Sequence, residues 1–121
     1  MIGWKVTHVN RQSVHAQGKY KLTFEKDTVV KAIQGTLGIM LFEEYLDAQS
    51  WALRQSCFCY RGHSVLQVEL LGEITKPVFI SMNFEEVGLN IFYRECSNPN
   101  YSTGFVAPAG AICSQSVRVL N

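Results

Sequence analysis

TVVKAIQGTLGIMLFEEYLDAQSWALR, residues 28–54, decides the fold. Residues 29–33 are mostly β-branched and apolar, and they predict a strand. Gln34-Gly35-Thr36-Leu37-Gly38 then offers two glycines, where a backbone can turn or come close to another strand. Ile39-Met40-Leu41-Phe42 is apolar without alternation, the pattern of a strand covered on both faces. Glu43 and Glu44 open a helix, where acidic side chains complement the helix dipole. Tyr45, Ala48, Trp51 and Ala52 fall on one stripe at helical spacing. Tyr45 and Trp51 are expected to anchor this helix on the sheet, with Asp47, Gln49 and Arg54 turned away from it.

The flanking chain supplies more strands. Residues 2–9 place Ile2, Trp4, Val6 and His8 on one face and Gly3, Lys5, Thr7 and Val9 on the other, a period of two with one apolar side. Asn10-Arg11-Gln12-Ser13 reads as a turn, residues 13–16 as a short strand, and Gln17-Gly18-Lys19 as another turn. Tyr20, Leu22 and Phe24 alternate with polar neighbours as a half-buried strand, and Lys26-Asp27 closes a tight hairpin. Turns this short predict that strands adjacent in sequence pair antiparallel. Residues 65–71 and 78–80 read as strands, with Pro77 at the start of the second, where its missing N–H does least harm. Residues 83–95 fit a helix capped by Asn83 with Glu86 three residues on; Gly88 weakens that helix, and a strand is the alternative. Residues 97–111, with Pro99, Gly104, Pro108 and Gly110, read as one long loop. Residues 115–120 end the chain as a strand with Val117 and Val119 inward and Arg118 outward. The expected fold is α+β, a mainly antiparallel twisted β-sheet packed by one or two α-helices, in a single domain over residues 1–121.

The 121 residues suit one domain with a core that needs no disulfide staples. Hydrophobic residues make up 47%, which argues against a disordered chain. Eleven Lys+Arg against ten Asp+Glu leave a net charge of +1, without the basic excess of a DNA binder. A small anionic ligand, which needs only a few placed cations, stays open. The N-terminus MIGWKVTHV resembles a strand rather than a targeting peptide, and no apolar run approaches a membrane span. These features point to the cytoplasm. Cys57, Cys59, Cys96 and Cys113 include no C-x-x-C pair and match no common zinc spacing, so free thiols are expected and no metal site. Cys57 and Cys59 with His15 and His63 form a metal set only on paper.

Catalytic chemistry finds little support. No G-x-S-x-G motif accompanies the three histidines, His8, His15 and His63. The Glu43-Glu44 and Glu85-Glu86 pairs are explained by their places at predicted helix starts. Gly35-Thr36-Leu37-Gly38 leads into a strand, unlike a phosphate-cradling loop at a helix N-terminus. The chain therefore reads as a binding protein rather than an enzyme, with no cofactor. The best candidate ligand site joins Asn90, Phe92, Tyr93 and Arg94 with Arg118, Arg11 and Phe84. A nucleotide-like ligand needs an aromatic face for its base and guanidinium forks for its phosphates, and these residue types supply both.

A set of segments carries a family resemblance from Trp4 to Leu120. They are the W-K-V of the first strand, Arg11-x-Ser13, V-x-K-A-x-x-G-T-L-G-I-x-x-F, D-A-x-x-W-A in the helix, and the closing P-x-G-x-I-x-x-x-x-V-x-V-L. In these the chain resembles the Thoeris anti-defence sponges of phages and prophages. The resemblance implies a β-rich protomer that forms a homodimer or higher homo-oligomer in the cytoplasm of an infected bacterial cell. It also implies that the protein sequesters a cyclic ADP-ribose-type signal without cleaving it, through stacking and arginine–phosphate contacts near the protomer boundary. No short motif of that family marks the pocket, so Arg118 and the residues from Asn90 to Arg94 rest on chemistry alone. The alternative is a phage-encoded protein-binding module that inhibits a host protein.

Overall fold

A computed structural model describes residues 1–14, 21–33, 38–56, 62–76, 79–80 and 105–121. Its elements are β1 (Ile2–His8), β2 (Val29–Lys31), β3 (Ile39–Phe42), α1 (Tyr45–Ser56), β4 (His63–Leu70), β5 (Ile74–Thr75), β6 (Phe79–Ile80), β7 (Phe105–Val106), β8 (Ala111–Ser114) and β9 (Ser116–Val119). Seven strands form one antiparallel sheet in the order β2-β9-β4-β1-β3-β8-β5, while β6 pairs with β7 apart from it. The α+β expectation of an antiparallel sheet packed by a helix holds.

The pairings show more than an open sheet. Only Gln115 separates β8 from β9, and their partners β5 and β4 are separated by Leu71-Gly72-Glu73. Val68 faces Val119 and Leu70 faces Val117 on one side of that break; Ile74 faces Ser114 on the other. The ladder crosses the break through a bulge, where the carbonyl of Ser116 accepts the amides of Leu71 (2.9 Å) and Gly72 (3.2 Å). β2 and β3 run along the opposite edge of the same two strands. β1 is flanked by β3 and β4. The pairings thus run from β1 through β4 and β9 to β8, and through β3 back to β1, with β2 paired to β9 alone; this circuit closes the sheet as a small barrel.

The interior holds Phe24, Ile39, Leu41, Leu66, Val68, Leu70, Ile112, Val117 and Val119. The outer wall under α1 is a second cluster of Val6, Phe42, Ala48, Trp51 and Ala52. The two clusters explain why residues 39–42 lack alternation: Ile39 and Leu41 face in, and Phe42 faces the helix. The Phe42 and Trp51 rings lie 5.8 Å apart, and Tyr45 meets Trp4 edge to face at 5.0 Å. Trp51 is a buried anchor as expected, whereas Tyr45 keeps 43% of its surface exposed and grips through one ring edge.

Several local expectations need correction. The first segments pair in order only through antiparallel bridges, Thr7 to Ser13 and Gln12 to Thr23, while the longer ladders join distant strands: β2 joins β9, and β1 joins β3 and β4. The segment holding Leu22 and Phe24 makes only a bridge, Gln12 to Thr23, yet Phe24 is fully buried. Asp27 does sit in a turn, with φ 63°, but the turn leads to β2 and its amide is donated to Val119. The loop expected over residues 97–111 contains β7, and its last residue starts β8. Pro108 and Gly110 obscure that strand; they shape the turn in which the Ala111 amide reaches the Pro108 carbonyl. The short strand expected over residues 13–16 and the helix expected over 83–95 fall wholly or partly outside the described residues.

β1 departs most from expectation. Its supposedly polar face, Gly3, Lys5 and Thr7, is buried. Lys5 lies against the barrel interior, 7% exposed, with its Nζ donating to the Met40 carbonyl at 3.0 Å. The same Nζ sits 5.2 Å from the centroid of the Phe24 ring, a cation–π contact. Burial pushes its pKa from 10.5 down to about 8, with the nearby Cys113 pulling the other way. A depressed folded pKa means that the charged form is disfavoured in the fold. That penalty is fully present below about pH 8 and disappears as pH rises to 10.5, where the unfolded chain also gives up the proton. Lys5→Met should therefore stabilise the protein at pH 7, by at most about 3 kcal/mol, and the gain over wild type should shrink by pH 10.5 in paired urea titrations.

Glycine requirements differ sharply along the barrel. Gly38 has φ 121°, and an added Cβ would meet the Ser114 carbonyl oxygen at 2.6 Å. Gly62 has φ 69° with open space around it. Gly38→Ala should cost about 2 kcal/mol or more, and Gly62→Ala about 1 kcal/mol, both read from denaturation midpoints.

Candidate ligand-binding face

Antiparallel register fixes which outward side chains share a row. Ile2 faces Glu69, Glu69 faces Arg118, and Arg118 faces Val29, so one row crosses β1, β4, β9 and β2. Lys31 faces Ser116, the outward residue two before Arg118, and is therefore its diagonal neighbour on the same face. Cross-strand diagonals are about 7–8 Å apart, within reach of two long cationic side chains. Arg118 and Lys31 are both exposed. Among the described residues no ion pair engages Arg118: Glu69 stands opposite in register, but the ion pair that forms is Lys76–Glu43 at 4.0 Å. The face thus offers two cations to solvent, tempered by one carboxylate.

The expected inward–outward split of the last strand is correct, with Val117 and Val119 buried and Arg118 exposed. Of the other candidate residues, Phe84, Asn90, Phe92, Tyr93 and Arg94 lie outside the described residues, so the structure neither joins them to Arg118 nor separates them.

Arg11 is placed differently from a phosphate fork. Its backbone has φ 68°, unusual for a residue with a side chain. Its Nε donates to the Phe24 carbonyl at 2.6 Å and its Nη2 to the main-chain oxygen of Asn121 at 2.5 Å. The Arg11 carbonyl in turn accepts the Phe24 amide at 2.9 Å. Arg11 is a clasp that holds the Phe24 segment and the chain end against the barrel. The end is pinned a second time, since Asn121 Oδ1 accepts the Gln67 amide at 2.8 Å.

The sequence reading missed two features. Lys5 is buried rather than solvated. His8 and His63 face each other across β1 and β4 with ring centroids 5.3 Å apart. Both depend on which strands pair, so alternation alone carries no signal for them. Cys113 is buried as a free thiol, as expected, and the other three cysteines and His15 lie outside the described residues. Among the described residues no group of three or more His, Cys, Asp or Glu could hold a metal ion. No described helix is long and apolar enough to cross a membrane. No family model, curated protein or solved structure matches the chain.

The clasp yields a clear expectation. Arg11→Ala removes two charge-assisted hydrogen bonds and should lower stability by about 2–4 kcal/mol in urea denaturation. Arg118→Ala, on the open face, should change stability by no more than about 0.5 kcal/mol.

Proposed function

We propose that the protein binds and sequesters a small anionic nucleotide-type metabolite, of the cyclic ADP-ribose class, without cleaving it. The observation that carries this reading is the open face around Arg118. A guanidinium with no ion pair among the described residues stands beside an exposed lysine on a rigid wall of the barrel. A pyrophosphate carries its charges close together, and a guanidinium fork can take two of its oxygens at once while an ammonium adds a third contact. Binding on rigid strands loses little conformational entropy, which favours slow release. Sequestration needs no group that reacts, only affinity; two charge-assisted contacts and one stacked base could reach about −12 kcal/mol in a preorganised site. The resemblance to Thoeris anti-defence sponges supplies the ligand class and the expectation of a homo-oligomer acting in the cytoplasm of an infected cell. Phe92 and Tyr93 are the aromatic residues proposed for the base, with Asn90, Arg94 and Phe84 around them.

A second reading, a protein-binding module directed at a host protein, is favoured by the outer surface of α1. Leu46 and Leu53 are seven residues apart, share one face, and keep 72% and 64% of their surface exposed. A purified complex with such a partner that is broken by Leu46→Ser with Leu53→Ser, but survives Arg118→Ala, would support it over sequestration.

The ligand reading is tested by calorimetry with cyclic ADP-ribose isomers and linear ADP-ribose, followed by mass analysis of the recovered ligand. Arg118→Ala should weaken binding by about 10- to 100-fold. Glu69→Gln, which removes the opposing carboxylate, should strengthen it by about two- to fivefold. Recovery of a hydrolysed ligand, or unchanged affinity in Arg118→Ala, would reject the reading.

A further inference from the structure

At the far end of the β1–β4 ladder, away from Glu69, the pairing brings two imidazoles together. His8 is the last residue of β1, His63 the first of β4, and they are direct cross-strand partners. In antiparallel sheets such partners alternate between pairs that exchange their backbone hydrogen bonds and pairs that do not; the second kind sits closer, with Cα atoms about 4.5 Å apart. His8 belongs to the second kind. Its amide is donated to the Gln12 carbonyl and its carbonyl accepts the Arg11 amide, both at 2.9 Å, so neither group is exchanged with His63.

The ring centroids are 5.3 Å apart and the ring planes differ by 29°. A late first-row metal ion binds imidazole nitrogen at about 2.0–2.1 Å, and two imidazoles on one tetrahedral ion then have centroids about 5 Å apart. The observed separation matches that value. Rotation about the terminal side-chain torsion, which is broad for histidine, is what turns stacked rings so that two nitrogens converge. Both residues are only half-buried, which leaves a route for an ion from solvent. Their backbones are held: Val6 and Val65, the preceding pair on the same face, pack in the cluster under α1, and buried Thr7 bridges to Ser13. A preformed pair on a stiff ladder avoids most of the ordering entropy of chelation.

We infer that His8 and His63 form a two-histidine chelate for a divalent late transition-metal ion, with solvent completing its coordination. The bound ion links β1 to β4 at the mouth of the barrel. Neutral imidazole is the ligand form, so binding weakens as pH falls through the usual histidine range near 6.5. Nitrogen ligands order the ions as nickel below copper and copper above zinc, and they do not favour magnesium or calcium.

Calorimetric titration of the whole chain with zinc, nickel and copper chlorides, with magnesium chloride alongside, tests this. Wild type is expected to bind one zinc or nickel ion per chain in the micromolar range, with a rise in Tm. His8→Ala and His63→Ala, each shown to be folded by circular dichroism, should each weaken that binding at least tenfold, and lowering the pH from 7.5 to 5.5 should do the same. His63→Asn, which keeps a polar side chain in the ladder, provides a milder variant should either alanine variant fail to fold, and it should show the same loss. Wild-type binding no tighter than 1 mM, or affinity unchanged in the folded variants, would overturn the inference.

Discussion

The amides of Leu71 and Gly72 share one acceptor, the carbonyl of Ser116, and the rest of the molecule depends on that shared contact. It inserts an extra residue into one strand without ending the pairing, so the ladder bends and continues. Gly72 is needed there because an added Cβ would come within 2.8 Å of the Ser116 nitrogen. With the bend, β4 and β5 stay paired to β9 and β8 around a corner, and the sheet returns to β1 through β3. Without it, the sheet would stay open with long free edges, which are prone to pair with other chains.

Closure separates two environments with different chemistry. Inside, nine apolar side chains exclude water, and Lys5 is admitted among them only with a carbonyl and a ring as partners. A buried charge of this kind lowers stability unless it is well solvated by the protein, and the depressed pKa shows that the compensation is incomplete. Outside, α1 covers the wall around Trp4, Val6 and Phe42, while the rows through Arg118 and Lys31 remain open. The division leaves one wall packed under the helix and one open to solvent.

Parts of this were legible in the sequence because they depend on local period. The helix stripe, the doubly covered residues 39–42 and the inward Val117 and Val119 all follow from spacing, and so does the outward Arg118. Other parts depend on distant contacts. Arg11 looked like a free cation in a turn, but its partners are 13 and 110 residues away. Lys5 looked solvated because its strand alternates, and only barrel closure buries the second face. β8 was hidden by the turn residues Pro108 and Gly110 directly before it. The pairing of His8 with His63 joins strands distant in sequence, and local period carries no sign of it.

The central claim is that an anion is held on the outer wall around Arg118, outside the apolar interior. Amide and arginine side-chain resonances followed during titration with a cyclic ADP-ribose isomer address it most directly. The account predicts that Arg118, Lys31, Ser116 and Glu69 shift together and saturate at one ligand concentration, while the interior around Lys5 and Phe24 stays unchanged. Saturable shifts that leave these four residues untouched would contradict it.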